Sequence, residues 1–146
     1  MRLRLRPAAL LIAASVALGG CGESHVEQNA FAWTGTIPAG GWFYLRNRTG
    51  TIRVERSTSP SIEVTATAHW RSGRQIPVRF ARGTANGNVV ICTMLADGGT
   101  CSPHRYSTGA RRHWWSIFGS SGGDARVDYV VHLPAGVKLD VSTIVG

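Results

Sequence analysis

The segment SIEVTATAHW, residues 61–70, alternates apolar and polar side chains at every second position. A period of two places one set of side chains on each face of an extended strand, and a helix cannot match it. The same alternation is found in GWFYLRN and TIRVER, and candidate strands follow at 76–81, 88–94, 125–133 and 137–144. Because turn residues separate these segments and no helical spacing is found after residue 21, the sequence predicts an all-β fold of short strands in antiparallel hairpins.

Two local features make this prediction more specific. In TIRVER we expect Ile52 and Val54 to point inward, with charged side chains on the outer face. Asn86-Gly87 is a strong hairpin signal between the strands that flank it, and the surrounding residues predict a loop longer than two residues. Asn47 to Gly50 is predicted to be a turn.

A gapless repeat joins two distant parts of the chain. IPAGGWFYLRNRTG at residues 37–50 aligns with LPAGVKLDVSTIVG at residues 133–146, which lies 96 positions later. Pro suits the first central position of a type I turn, and Gly suits the position after the second. Each copy therefore predicts a turn followed by an alternating strand.

The segment ARVDYVVHLPAGVKLDVSTIVG, together with NRTGTIRVE and VVICTML, resembles the adhesin family of bacterial envelope proteins, whose biochemical function is unknown. The resemblance covers about residues 35–146 and is most specific at residues 127–143. It implies strands that lead into a β-solenoid or β-sandwich-like stack, and it implies no catalytic residues. The sequence departs from the family at Val145, where the family has Asn before the Gly. Because solenoid units bury their apolar faces against neighbours, we expect the chain to be truncated at its C-terminus. The second copy of the repeat is then expected to have no partner strand and to present an unpaired edge.

The start of the chain has the layout of a bacterial lipoprotein signal peptide. Three arginines precede an apolar run at residues 7–18, and Leu18-Gly19-Gly20-Cys21 resembles the lipobox, in which the cysteine carries the lipid and becomes the new N-terminus. We therefore expect residues 1–20 to be removed and Cys21 to be the lipid attachment site. The alternatives are an ordinary signal peptide with a chance cysteine, or a short uncleaved anchor.

The same assignment divides the chain and predicts its location. Residues 21–30 have the composition of a tether, and residues 31–146 have a length that suits one β-rich domain. The protein is expected to be exported and lipid-anchored in the bacterial cell envelope. Gly22 after the lipobox cysteine resembles an outer-membrane sorting signal.

The charge of the chain has to be evaluated without the signal peptide. The chain has 16 Lys and Arg against 8 Asp and Glu, and removal of three arginines leaves 13 basic residues and a net charge of +5. Export argues against a nucleic-acid partner despite the high isoelectric point. The expected partners are the membrane through the N-terminal lipid, and an envelope polymer, glycan or membrane protein.

Two cysteines remain when Cys21 is acylated. Cys92 and Cys101 enclose Asp97-Gly98-Gly99, residues that let the backbone reverse direction, and an oxidising compartment favours a disulfide between them. A metal site that includes His104 and His113 is the alternative, but Cys-x8-Cys-x2-His is not a recognised zinc spacing. No metal and no cofactor are expected.

Residues 97–124 are predicted to be a long loop. Its centre carries basic and aromatic residues that we identify as a candidate surface contact: Arg111, Arg112, Trp114, Trp115 and Phe118. These side chains can enter a membrane interface or stack on sugar rings. The favoured alternative is that they fold back and cover part of the sheet.

The sequence offers little support for an enzyme. Gly119 to Gly123 matches G-x-S-x-G, but no helix follows to form a nucleophile elbow. No phosphate-binding loop and no metal-ligand spacing of histidines is found. We therefore expect a non-catalytic domain with a binding or structural role at the cell surface or in the periplasm. The alternative hypotheses are an accessory sensory or regulatory envelope lipoprotein and, after it, an enzyme that acts on envelope polymers.

Overall fold

The computed structural model describes residues 30–70, 76–95, 99–109 and 125–145. In these ranges every regular element is a strand, so the predicted all-β class is confirmed, and no described helix could cross a membrane. The strands are β1 (Ala30–Gly35), β2 (Trp42–Thr49), β3 (Ile52–Ser57), β4 (Ile62–Trp70), β5 (Arg79–Ala85), β6 (Asn88–Met94), β7 (Thr100–Cys101), β8 (Tyr106–Ser107), β9 (Ala125–Pro134) and β10 (Lys138–Val145).

Two four-stranded sheets enclose one apolar core. The first sheet has the order β1-β4-β9-β3 and the second has the order β10-β2-β6-β5, while β7 and β8 form a separate pair. Alternating residues of both sheets point into the core, as in β4, where Ile62, Val64, Ala66 and Ala68 are buried. The core also contains Phe43, Leu45, Ile91, Val127, Tyr129 and Val131.

The pairing of the strands differs from the expected series of hairpins. Among the described strands, consecutive antiparallel partners are found for β5 with β6 and for β7 with β8. The pairs β2 with β6, β2 with β10, and β3 with β9 are parallel. The physical reason is that β2 and β9 are each followed by a strand of the opposite sheet, so the chain crosses between layers.

The sequence repeat is also a structural repeat. Lys138 lies opposite Trp42 and Val141 lies opposite Leu45, so the paired residues of β10 lie opposite the residues 96 positions before them. The preceding turns are stacked too, because the amide of Gly40 donates to the carbonyl of Gly136 at 2.8 Å. The expectation that the second copy has no partner strand was wrong: its partner is the first copy. In the described part of the chain, β10 is an outer strand of the second sheet, as expected.

Two local predictions about turns were wrong, and the burial of one inward-facing residue is lower than its position in the strand suggests. The hairpin between β5 and β6 has a two-residue turn, with φ of 52° at Asn86 and 75° at Gly87, so the longer loop is not formed. Strand β2 continues to Thr49, which removes the predicted turn at Asn47. Val54 faces the core side but is 41% exposed, because β3 is an edge strand and the core ends there.

A chain of polar side chains crosses the core and links the two sheets. The Nδ2 of Asn47 donates to the carbonyl of Val127 at 2.8 Å, and its Oδ1 accepts from the hydroxyl of Thr93 at 3.0 Å. The Thr93 hydroxyl also lies 2.6 Å from the hydroxyl of Tyr129. Because buried polar atoms are costly unless they are paired, this network makes one relative position of the sheets more favourable than the others.

Candidate functional site

A short hairpin covers part of the outer face of the second sheet. Residues 99–109 form β7 and β8 within the segment predicted to be a long loop, and Cys101 is joined to Cys92 of β6 by a disulfide with a Cα to Cα distance of 5.7 Å. The hydroxyl of Tyr106 donates to the carbonyl of Thr93 at 2.7 Å. Burial raises the pKa of Tyr106 to about 12, partly offset by Arg48, so its phenol keeps the proton that this hydrogen bond needs. The hairpin is therefore fixed by a covalent bond and by hydrogen bonds.

Arg46 connects the hairpin with two strands of the sheet. Its side chain is 8% exposed and lies on the outer face of β2. The guanidinium donates to the carbonyl of Pro103 in the hairpin at 2.6 Å and to the carboxylate of Asp140 in β10 at 2.9 and 3.0 Å. This forked geometry is the one that guanidinium and carboxylate groups prefer. Polar contacts with the hairpin explain why an arginine can be buried here.

Asp140 is held in its ionised form by this contact. The hydrogen bond from Arg46 lowers the pKa of the Asp140 carboxyl, burial opposes the shift, and the positive charge of Arg46 lowers the pKa further. A carboxylate with a depressed pKa and a fixed cation partner is a poor proton donor or acceptor near neutral pH. Arg46 and Asp140 therefore form a structural pair rather than an acid-base pair.

Aromatic rings extend from this pair to the end of the strand. The rings of Trp42 and Tyr44 stack with centroids 5.8 Å apart, and Lys138 Nζ lies 5.5 Å from the Trp42 ring centroid. His104 of the hairpin meets the Tyr44 ring edge-on at 6.0 Å. Tyr44 is buried, whereas Trp42 is 37% exposed. A cation over an indole face is a favourable contact that leaves the rest of the ring available to a ligand.

The outer face of the first sheet carries a polar cluster around Asp128. Its carboxylate accepts hydrogen bonds from the amide and hydroxyl of Thr51, each at 2.7 Å, and from Arg126 at 3.0 Å, while His69 lies 3.6 Å away. Burial raises the pKa of Asp128, but the hydrogen bonds lower it by more, so it lies below its usual value. The Thr51 hydroxyl thus donates to a carboxylate whose pKa is depressed, and such a carboxylate is a weak base for activating a hydroxyl near neutral pH.

A second histidine lies between two acidic side chains of the same face. His132 pairs in register with Glu55 on one side and Glu63 on the other, and its Nδ1 is 3.6 Å from the Glu55 carboxylate. Even so, no group of three or more His, Cys, Asp or Glu in the described ranges has the geometry to hold a metal ion.

An open groove lies where the core reaches the edge of the first sheet. Its volume is about 380 Å³, and it runs between β3 and the corner that joins β9 to β10. Val54, Leu133 and Val137 give it apolar walls, and Glu55 and Arg56 lie at the same end. On the second sheet, Val141 of the neighbouring edge is 40% exposed. Exposed apolar side chains next to polar ones are typical of surfaces that contact another molecule.

The candidate residues from the sequence are divided between described and undescribed parts of the chain. Cys92 and Cys101 are bonded to each other, so they are not free to ligate a metal together with His104. The lipid site Cys21 and most of the tether lie outside the described residues, as do the surface candidates Arg111, Arg112, Trp114, Trp115 and Phe118. Trp42, Arg46, Lys138 and Asp140 were missed as a group. Their repeat offset of 96 positions could have placed Lys138 beside Trp42.

Comparisons with known proteins give no family assignment. No family model matches the chain, no curated protein matches it, and no solved structure matches it. The resemblance to the adhesin family of envelope proteins therefore stays a prediction that depends on the sequence of β9 and β10.

Proposed function

We propose that this protein is an exported, lipid-anchored component of the bacterial cell envelope, with an adhesin-like β domain that has a non-catalytic binding or structural role. The observation that carries the proposal is the bond between Cys92 and Cys101. Structural disulfides form and persist in oxidising compartments and are rare in the cytosol. A leader that ends in Leu18-Gly19-Gly20-Cys21 supplies a route to such a compartment and an attachment point for lipid.

The contacts of the polar side chains support a non-catalytic role. Arg46 and Asp140 fasten the hairpin, and Asp128 is saturated by Thr51 and Arg126. These groups make contacts that stabilise the fold, whereas a catalytic acid or base has to be able to transfer a proton to or from a substrate.

Two surfaces support a binding role. The groove beside Val54 combines apolar walls with charged rims, and the exposed Trp42 ring on the second sheet has Lys138 beside it. An exposed indole can stack on a sugar ring, and an apolar groove can accept side chains of a protein. An envelope polymer, a glycan or a membrane protein fits these surfaces.

The lipid anchor is tested by palmitate labelling in a bacterial host that processes lipoproteins. We expect label in the wild-type protein and none in the Cys21→Ala variant. Equal incorporation in both would contradict the anchor. Cys92→Ala is the matched control, because it removes a cysteine but leaves the proposed lipid site, and it should still be labelled.

The role of the domain is tested by incubating the purified protein with cell-wall and polysaccharide fractions. Saturable binding without change in the polymer supports the proposal. Release of polymer fragments would instead support an enzyme. Co-purification of a membrane signalling protein, with no polymer binding, would support the sensory alternative.

A further inference from the structure

The charges of the described chain are divided unequally between its two broad faces. On the outer face of the first sheet, three carboxylates face two cations, a net charge of −1: Glu55, Glu63, Asp128, Arg53 and Arg126. On the outer face of the second sheet and its hairpin, five cations face one carboxylate, a net charge of +4: Arg46, Arg48, Arg79, Arg105, Lys138 and Asp140. Of the two outer faces in the described part of the chain, that of the second sheet therefore carries the positive charge.

The part of this basic face formed by β2 and β10 also exposes large apolar side chains. Trp42 is 37% exposed at one end, and Ile144 is 63% exposed towards the other. Both side chains point to the outer face of the sheet, because the residues that alternate with them in β2 and β10 point into the core. Lys138 lies beside the Trp42 ring. Trp together with Lys and Arg is the combination favoured at the boundary between lipid headgroups and water.

We propose that the outer face of the second sheet docks on the anionic headgroups of the bilayer in which the Cys21 lipid is inserted. This inference rests on the proposed lipid anchor, since the anchor brings the domain to the membrane. Nine residue steps separate Cys21 from Ala30 at the start of β1, and a chain of that length reaches at most about 30 Å. The domain is therefore kept within reach of the surface, and its charge selects the face that turns towards the lipid.

Docking of this kind leaves the rest of the domain free to bind other molecules. The first sheet, with its net charge of −1 and its His and Thr side chains, then faces away from an anionic membrane. The groove beside Val54 lies at the edge between the two sheets and stays accessible from the side. In this orientation the tethered domain always presents the outer face of its first sheet away from the membrane.

The size of the effect follows from the number of cations at the surface. Each Lys or Arg close to an anionic membrane strengthens binding about five-fold, and the contribution decays within a Debye length. Neutralising two of the cations on this face should therefore weaken binding about 25-fold. Raising the salt concentration should weaken it further, whereas a purely apolar contact would not respond in this way.

The test uses the mature chain, residues 21–146, with Cys21→Ser so that no lipid anchors it. Every described contact lies within residues 30–145, so removal of the leader takes away none of them. Flotation measures binding to vesicles of phosphatidylcholine alone and of phosphatidylcholine with phosphatidylglycerol. We expect binding to the anionic vesicles that decreases with salt, and little binding to the neutral ones.

Matched variants show which face is used. Arg48→Gln with Lys138→Gln should lose about 25-fold in binding to anionic vesicles. Arg53→Gln with Arg126→Gln, which changes the charge equally on the outer face of the first sheet, should lose little. Lys138→Glu alone, at an exposed position, should weaken binding even if Arg48 proves important for folding. Circular dichroism checks that each variant is folded.

Three results would overturn the inference. They are equal binding to neutral and anionic vesicles, equal losses in the two double variants, and retention on a soluble polyanion such as heparin without flotation on anionic vesicles. Labelling of Cys21 by palmitate is independent of all three, so the proposed anchor can stand when this inference fails.

Discussion

The contact between Arg46 and Asp140 gives the sharpest prediction about stability. The pair joins β2 to β10, and Arg46 also holds Pro103 of the hairpin. Exposed ion pairs contribute about 0.2–1 kcal/mol, and breaking a fully buried pair costs about 3–5 kcal/mol. Since the Arg46 side chain is 8% exposed and that of Asp140 is 43% exposed, we expect a coupling free energy between these limits, about 1–2 kcal/mol.

The measurement is a double-mutant cycle with Arg46→Met and Asp140→Ala, followed by urea unfolding at neutral pH with the disulfide intact. Arg46→Met should cost about 3 kcal/mol, because it leaves the carbonyl of Pro103 without its donor as well as breaking the ion pair. Asp140→Ala should cost less, since the guanidinium keeps its carbonyl partners. Arg53 and Glu55 form the control pair, with side chains 75% and 37% exposed, and should couple by less than about 1 kcal/mol.

Acidification tests the same contact from the other direction. The folded pKa of Asp140 lies below its unfolded value, so its contribution to stability is complete above the unfolded pKa and is lost as pH falls through the folded pKa. In Arg46→Met the pKa of Asp140 should return towards its usual value, and the acid-dependent loss of stability should become smaller. Equal coupling in the buried and exposed pairs, or none in the first, would refute the reasoning.

Three further predictions concern the backbone, the core network and the disulfide. Gly50→Ala should cost at least about 2 kcal/mol, because φ is 126° and the added Cβ would overlap backbone atoms of β9. Gly136→Ala should cost about 1 kcal/mol, because φ is 87° but the added Cβ would meet the Ala39 Cβ at an ordinary contact distance of 3.9 Å; thermal unfolding compares the two variants. Thr93→Val should cost about 1–3 kcal/mol in urea unfolding, because the buried Tyr129 hydroxyl loses its partner in the core network and the Oδ1 of Asn47 loses one of its two donors. Reduction of the disulfide should lower the free energy of unfolding by about 2.5–3 kcal/mol, and calorimetry with and without reductant measures the loss.

Much of the fold could be predicted from local alternation. β4 and β9 read as strands because one face is apolar and the other polar, and the structure has them within one residue of the predicted limits at each end. The pairing partners could not be predicted in the same way, because alternation describes which face a residue occupies and says nothing about the neighbouring strand. The parallel pairing of β2 with β10 was present in the sequence only as the repeat.

The candidate site was harder to predict, for a physical reason. Arg46 and Asn47 are polar residues in a strand, and polar residues are usually assigned to solvent or to turns. Here both are buried, one beneath the disulfide-linked hairpin and the other in the core network. Their burial depends on partners such as Pro103 and Thr93, which are distant in sequence.

The difference in charge between the two faces could not be predicted from the sequence either. The net charge of the mature chain could be counted, but the division between faces requires the register of the strands. Lys138 and Arg48 lie on the same face only because β10 pairs with β2 in parallel. The composition therefore predicted a basic protein, and the structure located the basic surface.

The central claim is that the protein is exported, lipid-anchored and oxidised. The most direct measurement is the intact mass of the protein purified from the envelope of a lipoprotein-processing bacterium, before and after reduction and alkylation. We predict a chain that begins at Cys21 and carries acyl chains, with Cys92 and Cys101 alkylated only after reduction. A chain that keeps residues 1–20, or begins at an unmodified Cys21, with both other cysteines alkylated before reduction, would contradict the account.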